Sequence, residues 1–161
     1  MPALPLRIKD EMGVSTNGQI CFGVLLDENV ELPWDKDNDG DFEAWWMCIQ
    51  GYQPPFEIYD ETGNYINGAR PPEEYYTHRH AFEKAHPLPF TLVNYCSGDD
   101  PMYILAIVSS EKGASRGYPE SFNPVDLNVD QDEIDKLVQF CTDYGIEYDG
   151  EPGWWLSSYW G

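Results

Sequence analysis

The chain is poor in basic residues: nine Lys and Arg stand against 29 Asp and Glu in 161 residues, and the formal net charge is −20. Direct binding of DNA or RNA is therefore excluded as the main activity, because phosphate neutralisation needs clustered Lys and Arg. An anionic membrane surface is disfavoured for the same reason. The chain has no run near the roughly 20 apolar residues of a membrane span, and its N-terminus lacks the apolar core of a signal peptide. We therefore expect a cytoplasmic protein.

Signatures of catalysis are also missing. Neither of the familiar glycine-rich phosphate loops occurs, and all three histidines lie between His78 and His86. In a helix, residues 78 and 80 diverge by about 200°, so their side chains cannot share a metal ion. The four cysteines form no Cys-x-x-Cys pair and are expected to be buried reduced thiols; they are Cys21, Cys48, Cys96 and Cys141. Because no catalytic set is complete, we expect a protein that is not an enzyme. A small enzyme whose site the sequence does not reveal remains an alternative.

The chain does contain enough apolar residues for a folded core, with 42% hydrophobic and 15% aromatic residues. Residues 19–26 are apolar nearly throughout and predict a central strand covered on both faces. Asn17-Gly18, just before it, is typical of a tight turn. Residues 90–96 and 102–108 predict a hairpin. The run 109–124, rich in Gly, Ser and Pro, predicts an ordered surface loop.

Three helices are predicted. The first starts at Asp41 and is closed by Gly51, and the second is opened by the prolines and acids of residues 71–74 and runs to about His86. The third is opened by residues 130–133 and ended by Gly145. In the first, the predicted core-facing stripe consists of Phe42, Trp45, Trp46 and Ile49. In the third, the stripe consists of Ile134, Leu137, Val138, Cys141 and Tyr144. The acidic pair of Asp130 and Glu133 is expected to cap the start of that third helix.

Together these elements predict an α+β fold, with an antiparallel or mixed β-sheet packed against about three helices. The length predicts one acidic domain over residues 1–161. The aromatic tail, residues 154–160, is expected to pack back on the body as an edge strand or lid.

One acidic stretch matches part of a calcium loop. The first six positions of an EF-hand loop are matched by Asp35, Asp37, Asp39 and Gly40. Position nine is Glu43, which could supply a further ligand, but position twelve is Trp46 where a bidentate Glu is needed. A simpler interpretation is that Asp39 or Asp41 caps the helix that follows. Calcium, held by Asp35, Asp37, Asp39 and Glu43, is the one cofactor considered; otherwise none is expected.

Acidic residues concentrate in two segments, residues 27–43 and residues 126–151. The first contains eight Asp and Glu and one Lys, and the second contains nine Asp and Glu and one Lys. Such a negative field attracts basic surfaces and cations. The residues expected to contact a partner are Asp27, Glu28, Glu31, Asp35, Asp37, Asp39, Asp41, Asp130, Asp132, Glu133 and Asp135.

If the two acidic segments lie on one side, carboxylates interleaved with Trp and Tyr would imitate the phosphates and bases of nucleic acid. The sequence therefore favours a non-enzymatic inhibitor that binds a basic nucleic-acid-handling protein or nuclease. In size and charge, though in no motif, the chain is similar to phage-encoded inhibitors of host defence and to immunity proteins that neutralise nuclease toxins. Two alternatives stay open: a calcium-stabilised binding domain, and a solvated acidic surface on a protein of unrelated function.

Overall fold

Five strands and four α-helices make up the part of the chain that the computed structural model describes, residues 16–37, 40–62, 64–66, 70–99 and 101–160. The strands are β1 (Thr16–Leu26), β2 (Thr91–Ser97), β3 (Pro101–Ala106), β4 (Lys112–Ala114) and β5 (Tyr148–Trp160). The α-helices are α1 (Pro33–Asp37), α2 (Phe42–Ile49), α3 (Glu73–Ala85) and α4 (Gln131–Tyr144). Short 3-10 helices cover Val108–Ser110 and Pro124–Asp126. The predicted α+β domain is confirmed.

The sheet is mixed and closes on itself. Its order is β3-β2-β5-β1-β4, with β2 parallel to β5, and β3 pairs with β1 as well as with β2. The strands β1, β5, β2 and β3 therefore form a closed circuit of hydrogen-bonded neighbours. The prediction that the tail forms an edge strand or lid is wrong, because β5 lies between β1 and β2. It is drawn into the sheet because it pairs with β1 from Thr16, opposite Trp160, to Leu26, opposite Tyr148.

Strand β1 is covered on both faces, as predicted. Phe22, Val24 and Leu26 belong to the larger core, which includes helix side chains, whereas Cys21 belongs to a smaller core. Successive side chains of a strand point to opposite faces, so one face of β1 packs against the helices. The other face packs against the side chains of β2, β3 and β5. The predicted turn at Asn17-Gly18 is wrong, because pairing with β5 holds both residues within β1.

The helices bury apolar side chains at helical spacing, close to the predicted stripes. In α2 the buried residues are Phe42, Trp45 and Met47, while Ile49 is 40% exposed. In α4 they are Leu137, Phe140 and Cys141. Helix α4 ends at Gly145, whose φ of 64° is the left-handed conformation that glycine adopts readily. None of the helices in the described part of the chain combines the length and the apolar composition that a membrane crossing requires.

Candidate partner-binding surface

The two acidic segments meet where β1 ends and β5 begins. Leu25 lies opposite Asp149, and Leu26 lies opposite Tyr148. Burial raises the pKa of the Tyr95 phenol, and the nearby carboxylates of Glu28 and Asp149 raise it further. One carboxylate from each acidic segment therefore acts electrostatically on the same phenol.

A second junction brings α2 against α4 through aromatic side chains. The ring centroids of Trp45 and Tyr144 are 5.2 Å apart, and those of Trp46 and Phe140 are 5.9 Å apart. Both helices contribute to the larger core on one side of the sheet. Helix α2 starts at the end of the first acidic segment, and α4 lies within the second. The packing of α2 on α4 therefore makes the two segments neighbours in the helical layer.

Most of the residues predicted to contact a partner are exposed to solvent. Glu28, Glu31, Asp35, Asp41, Asp130, Asp132 and Asp135 are exposed, and Asp27 and Glu133 are half-buried. Within the described ranges, Glu31 alone of these residues has a basic partner, Lys36 Nζ at 3.5 Å. The side chain of Asp37 and all of Asp39 lie outside the described residues. The charge of Asp41 acts on the Arg79 guanidinium, and the other described carboxylates of this set form no ion pair within those ranges. The described residues therefore leave most of this negative charge uncompensated.

Three of these carboxylates have a structural role. Asp27 accepts a hydrogen bond from the backbone N–H of Asn29 at 2.8 Å, and Asp35 accepts one from Leu32 at 3.0 Å. Asp41 accepts a hydrogen bond from the backbone N–H of Ala44 at 2.9 Å and so caps α2, as predicted for either Asp39 or Asp41.

At α4 the predicted side-chain cap is wrong, because the side chain of Asp130 makes no capping hydrogen bond. Instead the backbone carbonyl of Asp130 accepts from the N–H of Glu133 at 3.0 Å.

The described residues of the calcium hypothesis are divided between two helices. Asp35 lies in α1 and one of its oxygens is occupied by the Leu32 N–H, while Glu43 lies in the first turn of α2. Among the residues the structure describes, no group of three or more His, Cys, Asp or Glu side chains is arranged to hold a metal ion. Asp39 and the side chain of Asp37 fall outside that part, so the calcium loop stays a prediction.

The aromatic residues of the first acidic segment are mostly structural. Trp34 is 1% exposed, and its ring centroid lies 4.8 Å from that of Phe42 and 5.4 Å from that of Trp45. These rings cannot stack on a partner. Tyr144, at the end of α4 within the second acidic segment, remains 36% exposed.

A groove of about 670 Å³ lies between α4 and the segment that follows β3, and the sequence patterns did not indicate it. Its lining includes buried Phe90, Ile107 and Phe140, together with Val108, which is 54% exposed. The polar side chains that α4 contributes are Glu133, Lys136, Gln139 and Asp143. The one available signal was Phe140, an aromatic residue beside the predicted stripe of α4 rather than within it.

The cysteines divide into two kinds. Burial raises the pKa of the Cys21 and Cys141 thiols to about 11, so both are protonated at neutral pH and poor nucleophiles. Cys96 is half-buried and Cys48 is exposed, so the expectation of buried thiols is wrong for Cys48. All four thiols are free.

The histidine region forms a small polar cluster on α3. Glu83 accepts hydrogen bonds from Arg79 at 2.7 Å and pairs with His80 Nδ1 at 2.9 Å. The backbone carbonyl of Phe82 lies 3.1 Å from His86 Nδ1 at the end of the helix. These contacts agree with the interpretation of the histidines as helix-surface groups.

Similarity to other proteins gives no guide to this surface. Comparison with protein families, with curated proteins and with solved structures finds no match to the chain. A proposal about function must therefore rest on the shape and charge of the surface itself.

Proposed function

We propose that the protein is a non-enzymatic, cytoplasmic inhibitor that binds a basic nucleic-acid-handling protein through its two acidic segments. Its carboxylates would occupy the partner's phosphate-binding Lys and Arg side chains and so exclude nucleic acid. The inhibition is competitive, and it needs no cofactor.

The observation that supports this proposal most directly is the convergence of the two acidic segments. The charges of Glu28 and Asp149 both raise the pKa of the Tyr95 phenol, and α2 packs on α4 through Trp45 and Tyr144. A single patch of negative charge has a far larger field than the same charges spread over the whole surface, so it steers a basic partner at long range.

The state of the carboxylates supports the same interpretation. Glu28 and Asp132 are exposed and have no basic partner among the described residues. Carboxylates without internal partners keep their charge available for an incoming Lys or Arg. When such pairs form at an interface they contribute mainly to association rate and specificity.

A charge-reversal experiment tests the proposal. Wild-type protein is used to retain partners from lysate at about 50 mM salt, where the Debye length exceeds 10 Å. A retained basic protein is then purified, and its binding is measured with and without competing duplex DNA. We expect the triple variant Glu28→Lys, Asp132→Lys, Asp149→Lys to associate at least about tenfold more slowly, since electrostatic steering raises association rates by 10- to 1,000-fold.

The matched control reverses three exposed acids outside both segments: Glu57→Lys, Glu61→Lys and Glu120→Lys. Both variants change the net charge equally, so a difference between them reports the position of the charges. Equal slowing in the two variants would mean that only net charge matters. Retention of no basic protein at low salt, or binding that duplex DNA does not compete, would remove the proposal.

A further inference from the structure

We infer that the groove between α4 and the segment after β3 holds an apolar side chain of the partner, carried on a short segment with basic residues on both sides. The inference rests on the proposed function, because it places this groove within the same contact surface. The occupant is a protein segment of that stated chemistry, and not a nucleic acid or a lipid.

The lining of the groove provides an apolar site that the described part of the chain leaves open. Phe90, Ile107 and Phe140 are buried, so the groove has a fixed apolar floor. Val108 remains 54% exposed on one wall. Large apolar or aromatic side chains that enter such preformed sites usually dominate the energetics of an interface.

The rim of the groove specifies the charge of the occupant. Glu133 and Asp143 lie on α4, ten positions apart, which corresponds to about 15 Å along the helix. Ser109 Oγ lies 3.3 Å from Glu133 Oε1 and joins the two walls at one end. At the other end the Asp143 carboxylate accepts a hydrogen bond from Gln139 at 2.6 Å. A segment with a basic side chain at each end and an apolar one between complements this arrangement.

Lys136 is the one basic side chain in the lining, and it lies between the two carboxylates along α4. In the described part of the chain it has no ion pair. Its charge opposes a basic occupant, so a variant of Lys136 can increase affinity. A gain of affinity cannot result from damage to the fold, which makes this residue useful in a test.

The probe is a short fluorescein-labelled peptide with two arginines at each end and Trp-Leu at its centre. A second peptide of equal charge has two serines at the centre. Binding of both to the full chain is followed by fluorescence anisotropy at low and high salt. We expect the Trp-Leu peptide to bind about tenfold more tightly than the serine peptide. Partial burial of one large apolar side chain is enough to produce a factor of this size.

Two exposed valines provide a matched pair of variants. Val108→Gln should abolish the preference for the Trp-Leu peptide. Val125→Gln should retain it, because Val125 is 74% exposed and lies outside the groove. Lys136→Glu should tighten binding of the Trp-Leu peptide by about threefold or more, as expected when like charge is replaced by opposite charge at a solvated rim.

The outcomes separate this inference from the proposed function. If both peptides bind equally and lose affinity in salt, the acidic surface is active but the groove inference is overturned. An equal preference in the Val108→Gln and Val125→Gln variants also overturns it. If the preference is lost in Val108→Gln but neither salt nor Lys136→Glu changes affinity, the groove binds an apolar segment and the basic occupant is wrong. If neither peptide binds at low salt, both proposals fail.

Discussion

At the scale of single residues, Gly23 shows how tightly the closed sheet is packed. A Cβ atom added at Gly23 would lie 2.3 Å from the carbonyl oxygen of Leu105 and 2.8 Å from Ala106 Cα. Gly23 pairs with Ala106 of β3 and with Gly153 of β5, and the register of β1 against β5 shifts just after it. The indole N–H of Trp155 donates to the Gly23 carbonyl at 3.0 Å. The backbone here has no room to move away from a side chain.

We therefore expect Gly23→Ala to lower the free energy of unfolding by about 1–3 kcal/mol, the usual cost of overpacking a core. Urea unfolding measures the change. The matched control is Gly18→Ala in the same strand, where an added Cβ meets nothing within 4 Å. If the two variants were equally stable, the close approach of β1 to β3 would be contradicted.

The sequence indicated that β1 is buried but did not single out Gly23 within it. Alternating apolar residues predict covered faces, whereas a close backbone approach depends on which strands become neighbours. Ser110 is a similar case. Its hydroxyl is buried, accepts from the Phe22 N–H at 2.9 Å and donates to the Ile107 carbonyl at 2.6 Å. In the sequence it is one serine in a run predicted to be a surface loop.

At the scale of secondary structure, α2 and α4 begin in different ways. Each has an aspartate at the N-cap position, but only the Asp41 carboxylate accepts a hydrogen bond from a backbone N–H, that of Ala44. Asp130 can act on α4 only through its charge near the helix dipole.

We expect Asp41→Ala to lower the free energy of unfolding by about 1 kcal/mol, because the backbone N–H of Ala44 loses its hydrogen-bond acceptor at the start of α2. Asp130→Ala should cost about 0.3 kcal/mol, the lower end of the dipole effect. Chemical denaturation of both variants, with Asp41→Asn as the conservative control, measures the difference. Equal losses from the two alanine variants would contradict the assigned caps.

Helices α2, α3 and α4 and the β2–β3 hairpin were predictable because their signals are local, whereas the short helix α1 was not predicted. Apolar spacing marked α2 and α4, and Gly145 marked the end of α4. The position of β5 was not predictable, because Trp and Tyr residues in a terminal segment fit an edge strand as well as an interior one. Strand β4 has only three residues and exists through pairing with β1, so the sequence of Lys112–Ala114 gives no local sign of it.

At the scale of the whole molecule, composition predicted the charge but not its arrangement. The two acidic segments are at least 83 positions apart in the sequence, and they become neighbours only because β5 returns beside β1 and α4 packs on α2. The groove has the same origin, since its walls come from α4 and from the segment after β3. Neither the convergence of the acidic segments nor the groove can be predicted from a single segment of the sequence.

The uncompensated charge also affects stability. With a net charge of −20, the folded chain carries more self-repulsion than the expanded unfolded chain, in which the charges are farther apart. Raising NaCl from about 20 to about 200 mM shortens the Debye length from about 20 Å to about 7 Å and screens much of this repulsion. We expect the melting temperature to rise by about 3 °C, equivalent to about 1 kcal/mol in a protein of this size.

Thermal unfolding followed by circular dichroism measures this rise, and CaCl2 at matched ionic strength is the control. An additional rise with calcium that EDTA reverses would favour the calcium-stabilised domain, because a specific ligand adds stability beyond screening. A melting temperature that fell with NaCl would contradict the repulsion.

Over the same salt range, association with a basic partner should weaken, because screening that relieves repulsion within the chain also removes attraction between the chain and its partner. The opposite signs of the two salt effects distinguish an acidic binding surface from a protein that salt merely stabilises.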